Sequence, residues 1–197
     1  MIIGVTGGIA SGKSEVCRIL SNNGFIHIDA DDVAHHVLED CRIIEKVMSV
    51  FGDGVTSRNA DGSIYIDRKK LGKIVFSDDS KMDLLENITH PQIVETIAGM
   101  IKENNDRNYV IEAIELVSSG LAGICNELWV VHAEPEQQLR RLMEYRHMSY
   151  EDAVSRLKSQ EVHDWDETSA DRIIYSTEPL ESMELQVLDA INNSLID

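Results

Sequence analysis

Five short apolar runs recur along the chain, each bounded by polar or turn-forming residues: IIGVT (2–6), FIHID (25–29), YVIEA (109–113), LWVVHA (128–133) and RIIYS (172–176). Between them the apolar positions shift to three- and four-residue spacing, as at Val16, Ile19 and Leu20, the period of a helix with one buried face. The connections over 14–22 and 134–141 have the length of crossover helices. Strands alternating with helices predict a parallel sheet covered on both faces. One connection is far longer. From Asp32 to Asn108 there is no clear core strand, and VAHHVLED, IIEKVMSVFG, RKKLGKIVF and KMDLLENI running into HPQIVETIAGMIKE all read as helices, with a turn-rich break at GDGVTSRNADGS. An insertion of this kind after the second strand is where a substrate domain is expected. A further helical pair, PEQQLRRLMEYRHMSYEDAVSRLKSQ, carries arginines at spacings that suit a lid, the alternative being a surface hairpin.

Composition narrows the function classes. The 197 residues suffice for one sizeable core with an inserted subdomain. The chain opens on a strand pattern without a basic leader and has no apolar run long enough to span a bilayer, so the expectation is a soluble, cytoplasmic protein without a membrane partner. Cys17, Cys41 and Cys125 are odd in number and widely spaced, which suggests neither a disulfide framework nor a zinc motif. His35 and His36 are adjacent and face different ways on a helix, and no paired-histidine motif occurs, so no metal chemistry beyond Mg²⁺ is expected. The net charge of −17 argues against nucleic acid, which needs a basic face. It also requires cations to be gathered where any anion docks; DRKKLGK (67–73) and the stretch 140–158 are the basic clusters.

The strongest chemical signal is TGGIASGKSE (6–15), which matches G-x-x-x-x-G-K-[ST] at Gly7, Gly12, Lys13 and Ser14, between a strand and a helix. Glycines let successive N–H groups converge on an anion, and the helix that follows adds its positive end. Nucleotide binding is therefore assigned to Gly8, Ile9, Ala10, Ser11, Gly12, Lys13, Ser14 and Glu15. Lys13 reaches the β- and γ-phosphates of ATP, and the Ser14 hydroxyl ligates Mg²⁺. A second signal follows the second run. In open α/β sheets strand ends face the ligand crevice, so Asp29, Asp31 and Asp32 are placed for chemistry. Asp32 is expected to cap the next helix, and Asp31 to accept a proton from a substrate hydroxyl. The third signal is Glu112, at the tip of a strand neighbouring the loop, as a Mg²⁺ ligand, with Glu115 competing for that role.

Taken together, TGGIASGKS, IDADDVAHHV, DRKKLGKIVFSD, ITHPQIV, VIEA, LWVVHAEPEQQLRRLM, SYEDAVSRLKSQ and SADRII resemble the dephospho-coenzyme A kinases over nearly the whole chain. The loop alone names only a superfamily; the Asp-Ala-Asp segment, R-x-x-L-G-x-I-V-F and His90-Pro91 are more specific. The resemblance implies a P-loop kinase three-layer α/β sandwich with a five-stranded parallel sheet, a helical coenzyme A domain and a helical lid. The corresponding division is 1–32, 91–137 and 166–197 for the core, 33–90 for the substrate domain and 138–165 for the lid. The implied reaction is transfer of the γ-phosphoryl group of ATP to the ribose 3′-hydroxyl of dephospho-coenzyme A. The catalytic residues it implies are Asp31, Lys13 and Arg141; Asp29, Arg68 and His90 lie on the substrate side, and Ser14 and Glu112 serve the metal. The implied partners are these two small molecules, and the implied state is a monomer or weak homo-oligomer. A related kinase for another hydroxyl substrate and a weakly active nucleotide-binding regulator are the alternatives.

Several positions depart from the family pattern. Ala10 stands where the loop usually has Gly, and Glu15 where it has Thr or Ser. At ~5 Å and an effective dielectric of ~20 to 80, a carboxylate facing the α-phosphate costs about 1 to 3 kcal/mol. Pairing with Arg18, three residues along the same helix face, would neutralise it. Ile114-Glu115-Leu116-Val117-Ser118 replaces P-L-L-F-E, Tyr145 takes an arginine position with Arg146 beside it, and YSTEP (175–179) replaces an Asn- and Gly-containing turn.

Overall fold

A computed structural model describes residues 1–159, 169–177 and 179–194. In chain order its elements begin with β1 (Ile2–Thr6), α1 (Lys13–Asn22), β2 (Phe25–Asp29), α2 (Ala30–Val37) and α3 (Cys41–Phe51). A short hairpin, β3 (Thr56–Arg58) and β4 (Ile64–Ile66), precedes α4 (Arg68–Val75) and α5 (Asp79–Glu103). The chain continues through β5 (Asn108–Glu112), β6 (Glu127–His132), α6 (Pro135–Arg146), α7 (Tyr150–Lys158), β7 (Arg172–Tyr175) and α8 (Leu180–Ser194). All five apolar runs are strands of one sheet, in the order β2-β5-β1-β6-β7, and all four neighbouring pairs are parallel. The central strands β1, β5 and β6 are covered on both faces, which is why their sequences are nearly continuous apolar runs and not alternating ones, whereas the edge strand β2 exposes Ile26 and His27.

The chain divides into two compact units: Met1–Asp29 with Asn104–Asp197, and Ala30–Glu103. In the first, Ile3, Val5, Val16, Leu20, Val110, Trp129, Val131 and Val187 form the main core. A smaller apolar cluster joins Ile9 of the glycine-rich loop to Leu142 of α6 and Ala153 of α7. The helical pair is thus more than a surface hairpin, since the loop shares its core. Residues 160–165 of the lid segment lie outside the described residues, as do 166–168, which open the last core segment ahead of SADRII, and Glu178 of YSTEP.

The second unit is the insertion, and its helices bury the stripe that their spacing predicts: Val33 and Val37 of α2, Ile43 and Val47 of α3, Leu71 and Val75 of α4, Ile93 and Ile97 of α5. Asp40 and Asp67 cap α3 and α4 by accepting from backbone N–H groups of the first turn. The turn-rich break holds β3 and the turn of the β3–β4 hairpin, with β4 directly after it, which the reading of this region as helices and turns did not anticipate; three residues per strand give too little alternation to see. The sequence-based division put residues 30–32 and 91–103 with the core. Here α5 runs unbroken from Asp79 to Glu103 with Pro91 inside it, so a boundary at His90-Pro91 would cut a helix. Tertiary packing outweighs the one hydrogen bond that proline removes. No helix among the described residues is long and apolar enough to cross a membrane.

Candidate nucleotide-binding site

The loop between β1 and α1 has the backbone its sequence predicts. Gly7 and Gly12 take φ of 143° and 109°. A Cβ on Gly7 would stand 2.4 Å from the Val131 carbonyl oxygen of β6, so the position excludes any side chain. Ala10, by contrast, is held at φ 55°, the left-handed region in which an L-residue costs about 1–2 kcal/mol. The substitution of alanine for the family's glycine therefore leaves the loop's shape in place and stores strain in it. Lys13, 8% exposed, donates through Nζ to the carbonyls of Gly7 and Gly8 at 2.9 and 3.0 Å, so its ammonium lies over the loop.

From the far side α6 clamps the same loop. Gln138 Nε2 donates to the Ile9 carbonyl at 2.8 Å, and Arg141 Nη1 donates to the carbonyls of Ala10 and Ser11, both at 3.0 Å. Arg141 is thereby placed at the loop. Gln138 was not anticipated, although it precedes Arg141 by three residues and shares its helix face. Tyr145 and Arg146 are exposed in the last turn of α6, which ends at a left-handed His147, φ 52°. The hydroxyls of Ser11 and Ser176 are buried with no hydrogen-bond partner among the described residues, and Ser176 Oγ is 2.8 Å from where a Cβ on Gly12 would be.

The carboxylate that the third signal singles out lies beside the loop. Ser14 Oγ donates to Glu112 Oε1 at 2.8 Å, and His27 Nε2 stands 3.1 Å from Glu112 Oε2. Glu112 is 8% exposed. Burial alone would raise its pKa, but the hydrogen bonds of His27 and Ser14, with the charges of His27 and Lys13, hold the carboxyl below the usual range. Of the two glutamates considered, Glu112 is the one bonded to Ser14. Two hard oxygen donors on adjoining elements fit Mg²⁺, which takes few protein ligands and keeps the rest of its shell for water and phosphate. Asp29 pairs with Glu112 in the β2–β5 register, so both acids are at the carboxyl ends of neighbouring strands.

One open alternative is resolved and one expectation needs correction. Of the two readings of Glu15, the structure has the pair with Arg18, whose Nε donates to its two oxygens at 3.1 and 2.9 Å and whose Nη2 also reaches Oε1. The Arg18 hydrogen bond holds the Glu15 carboxyl below its ordinary pKa, although burial opposes it. Asp32 is not a cap: α2 begins at Ala30, so Asp31 and Asp32 both fall in its first turn, where they face the positive end of the helix. Asp31 belongs to the second unit, two residues past the end of β2, and is exposed. Arg68, the exposed first residue of α4, and the half-buried His90 within α5 are in that unit too.

Comparison with known proteins agrees with this architecture. A family model for dephospho-CoA kinases matches residues 1–181. A dephospho-CoA kinase of Carboxydothermus hydrogenoformans is 38% identical over 191 residues, covering 95% of this chain and 91% of the relative. A crystal structure from Thermus thermophilus superposes with a TM-score of 0.81 at 27% identity, covering 99% of this chain and 97% of the other. A dephospho-CoA kinase from Campylobacter jejuni gives 0.60 at 29% identity, covering 98% and 96%. The chain, with its phosphate loop on a five-stranded parallel sheet, belongs to the dephospho-CoA kinase family.

Proposed function

We propose that the protein transfers the γ-phosphoryl group of ATP to the ribose 3′-hydroxyl of dephospho-CoA, giving coenzyme A and ADP, the last step of coenzyme A biosynthesis. The observation that carries the reading is the loop itself, with Lys13 over its carbonyls and Ser14 bonded to Glu112. Phosphoryl transfer needs little covalent help from the protein; positioning and charge neutralisation do most of it.

The backbone N–H groups from Gly8 to Glu15 bind the triphosphate at the positive end of α1. Lys13 exchanges the Gly7 and Gly8 carbonyls for β- and γ-phosphate oxygens. Arg141, already against the loop at Ala10 and Ser11, adds a second positive charge as the phosphoryl group loosens. Asp31 accepts the proton of the attacking 3′-hydroxyl, and the new O–P bond forms as the bond to the β-phosphate oxygen breaks, with ADP leaving. Ser14 and Glu112 would hold Mg²⁺, which would supply charge neutralisation for the phosphate groups. Asp29, Arg68 and His90 serve the acceptor, the last two as a cation and a hydrogen-bond donor for its phosphate groups. The reaction fits a cytoplasmic protein acting on two small molecules as a monomer or weak homo-oligomer.

Product analysis tests the reading: incubation with ATP, Mg²⁺ and dephospho-CoA should give equimolar ADP and coenzyme A. ATP consumption without coenzyme A, or with adenosine or shikimate serving as well as dephospho-CoA, would sink it.

A further inference from the structure

Beneath the phosphate loop, Glu112 has a third neighbour that phosphoryl transfer does not call for. Cys17 lies one turn along α1 from Ser14, is fully buried, and its thiol is hydrogen-bonded to the Glu112 carboxylate. Burial, together with that carboxylate, pushes the thiol pKa upward. His27, on the same sheet face as Asp29, completes the group, with Nε2 3.1 Å from Glu112 Oε2 and its side chain about one-third exposed. One ligand atom from each of Cys17, His27 and Glu112 lies within 4.8 Å of the other two.

We propose that Cys17, His27 and Glu112 form a binding site for a divalent transition-metal ion of the zinc class, and that occupancy inhibits the kinase by withdrawing Glu112 from Mg²⁺. Sulfur, imidazole nitrogen and carboxylate oxygen are a mixed donor set that zinc takes and magnesium does not. Around tetrahedral zinc, with bonds of about 2.0–2.3 Å, such donors stand some 3–4 Å apart, so closure needs only rotamer-scale movement of roughly 1 Å. On binding, the metal–sulfur bond replaces the S–H bond and the thiol proton leaves to solvent. His27 binds through Nε2 with its proton on Nδ1, Glu112 contributes Oε2, and water fills the fourth position. The ion enters from the His27 side, the exposed member of the three. An odd cysteine count and the absence of a spaced motif hid this site, because its ligands come from α1, β2 and β5 and meet only in the fold.

Cobalt(II) tests the site without reference to catalysis. Titrating CoCl₂ into the nucleotide-free protein should give one equivalent of a tetrahedral visible spectrum with a near-ultraviolet thiolate-to-cobalt band. ZnCl₂ should bleach both, while MgCl₂ should not. Cys17→Ser should abolish the thiolate band, and His27→Gln, at a partly exposed position that leaves the core intact, should weaken binding by about tenfold or more. Absence of the band, or its persistence in Cys17→Ser through Cys41 or Cys125, overturns the site; if Cys17→Ser fails to fold, an unchanged affinity in His27→Gln does so. In the second arm ZnCl₂ should inhibit phosphoryl transfer, with about tenfold or more zinc needed for half-inhibition in His27→Gln, each protein being normalised to its own uninhibited rate. Equal zinc sensitivity with an intact cobalt site would overturn the inhibitory half alone, which rests on Glu112 serving Mg²⁺.

Discussion

The phosphate loop and the inserted helical unit solve different problems with the same kind of chain. In the loop region the charged side chains and Ser14 are bonded within the same unit: Lys13 to Gly7 and Gly8, Arg141 to Ala10 and Ser11, Ser14 to Glu112, Glu15 to Arg18. In the helical unit the amphipathic helices bury one stripe, while Asp31 and Arg68 are exposed and His90 is half-buried. A site for a polyanion must be assembled before the anion arrives, since unpaired buried charges and carbonyls are costly. A site for a larger, flexible acceptor can be a set of side chains on helices. The loop is therefore expected to fail through its geometry, and the insertion through the loss of single contacts.

The sharpest test of that contrast removes one carboxylate from the insertion. Asp31→Asn should leave ATP affinity nearly unchanged while lowering kcat about 100-fold or more, as general-base losses do. Isothermal titration with a non-hydrolysable ATP analogue and steady-state kinetics check both halves, and wild-type turnover would reduce Asp31 to a first-turn helix charge. On the loop side, Arg141→Ala should lower kcat by about 100-fold and also weaken ATP binding, because the guanidinium supports the loop as well as the transferring group. A large kcat effect with unchanged ATP affinity would mean that the clamp does not shape the loop.

Stability offers smaller but cleaner readings. The folded-state pKa of Glu112 lies below its reference value of 4.5, so its contribution is present above pH 4.5 and is lost as pH falls through the lower, folded-state value. Denaturation of the wild type and Glu112→Gln across pH 2–6, in the absence of metal, should show a larger acid-labile component in the wild type than in the variant, which keeps that of the other carboxylates with lowered pKa such as Glu15; parallel curves would mean that the ion pair with His27 contributes nothing. Ala10→Gly removes a left-handed alanine and should stabilise the protein by about 1 kcal/mol, the relief of strain being partly offset by glycine's chain entropy. Thermal melts check it, and a destabilised variant would mean that the apolar contact of Ala10 with the Ile9 cluster outweighs the strain.

The smallest expected effect concerns Glu15. Because its charge is already satisfied by Arg18, Glu15→Thr should change ATP affinity by no more than a few tenths of a kcal/mol, at low and high salt alike. A gain of about 1 to 3 kcal/mol that shrinks with salt would show that the pair opens when phosphate arrives.

The sheet was legible because its parallel strands leave five short runs rich in apolar residues, and the insertion because its helices carry a regular apolar stripe. The loop was legible because its chemistry is contiguous: glycine, lysine and serine at fixed spacing need no other segment to be recognised. Glu112 could be nominated from its place at a strand tip. Its partners could not, since Ser14, Cys17 and His27 reach it only when α1 and β2 are laid against β5. The Gln138 and Arg141 clamp, the left-handed Ala10 and the Glu15–Arg18 pair likewise had sequence hints but no sequence solution. Pattern along a chain records what each residue does to its immediate neighbours, at a period of two or of 3.6 residues. Which of two chemically possible partners a side chain takes is decided by distances across the fold, and those exist only once the sheet has brought remote segments together.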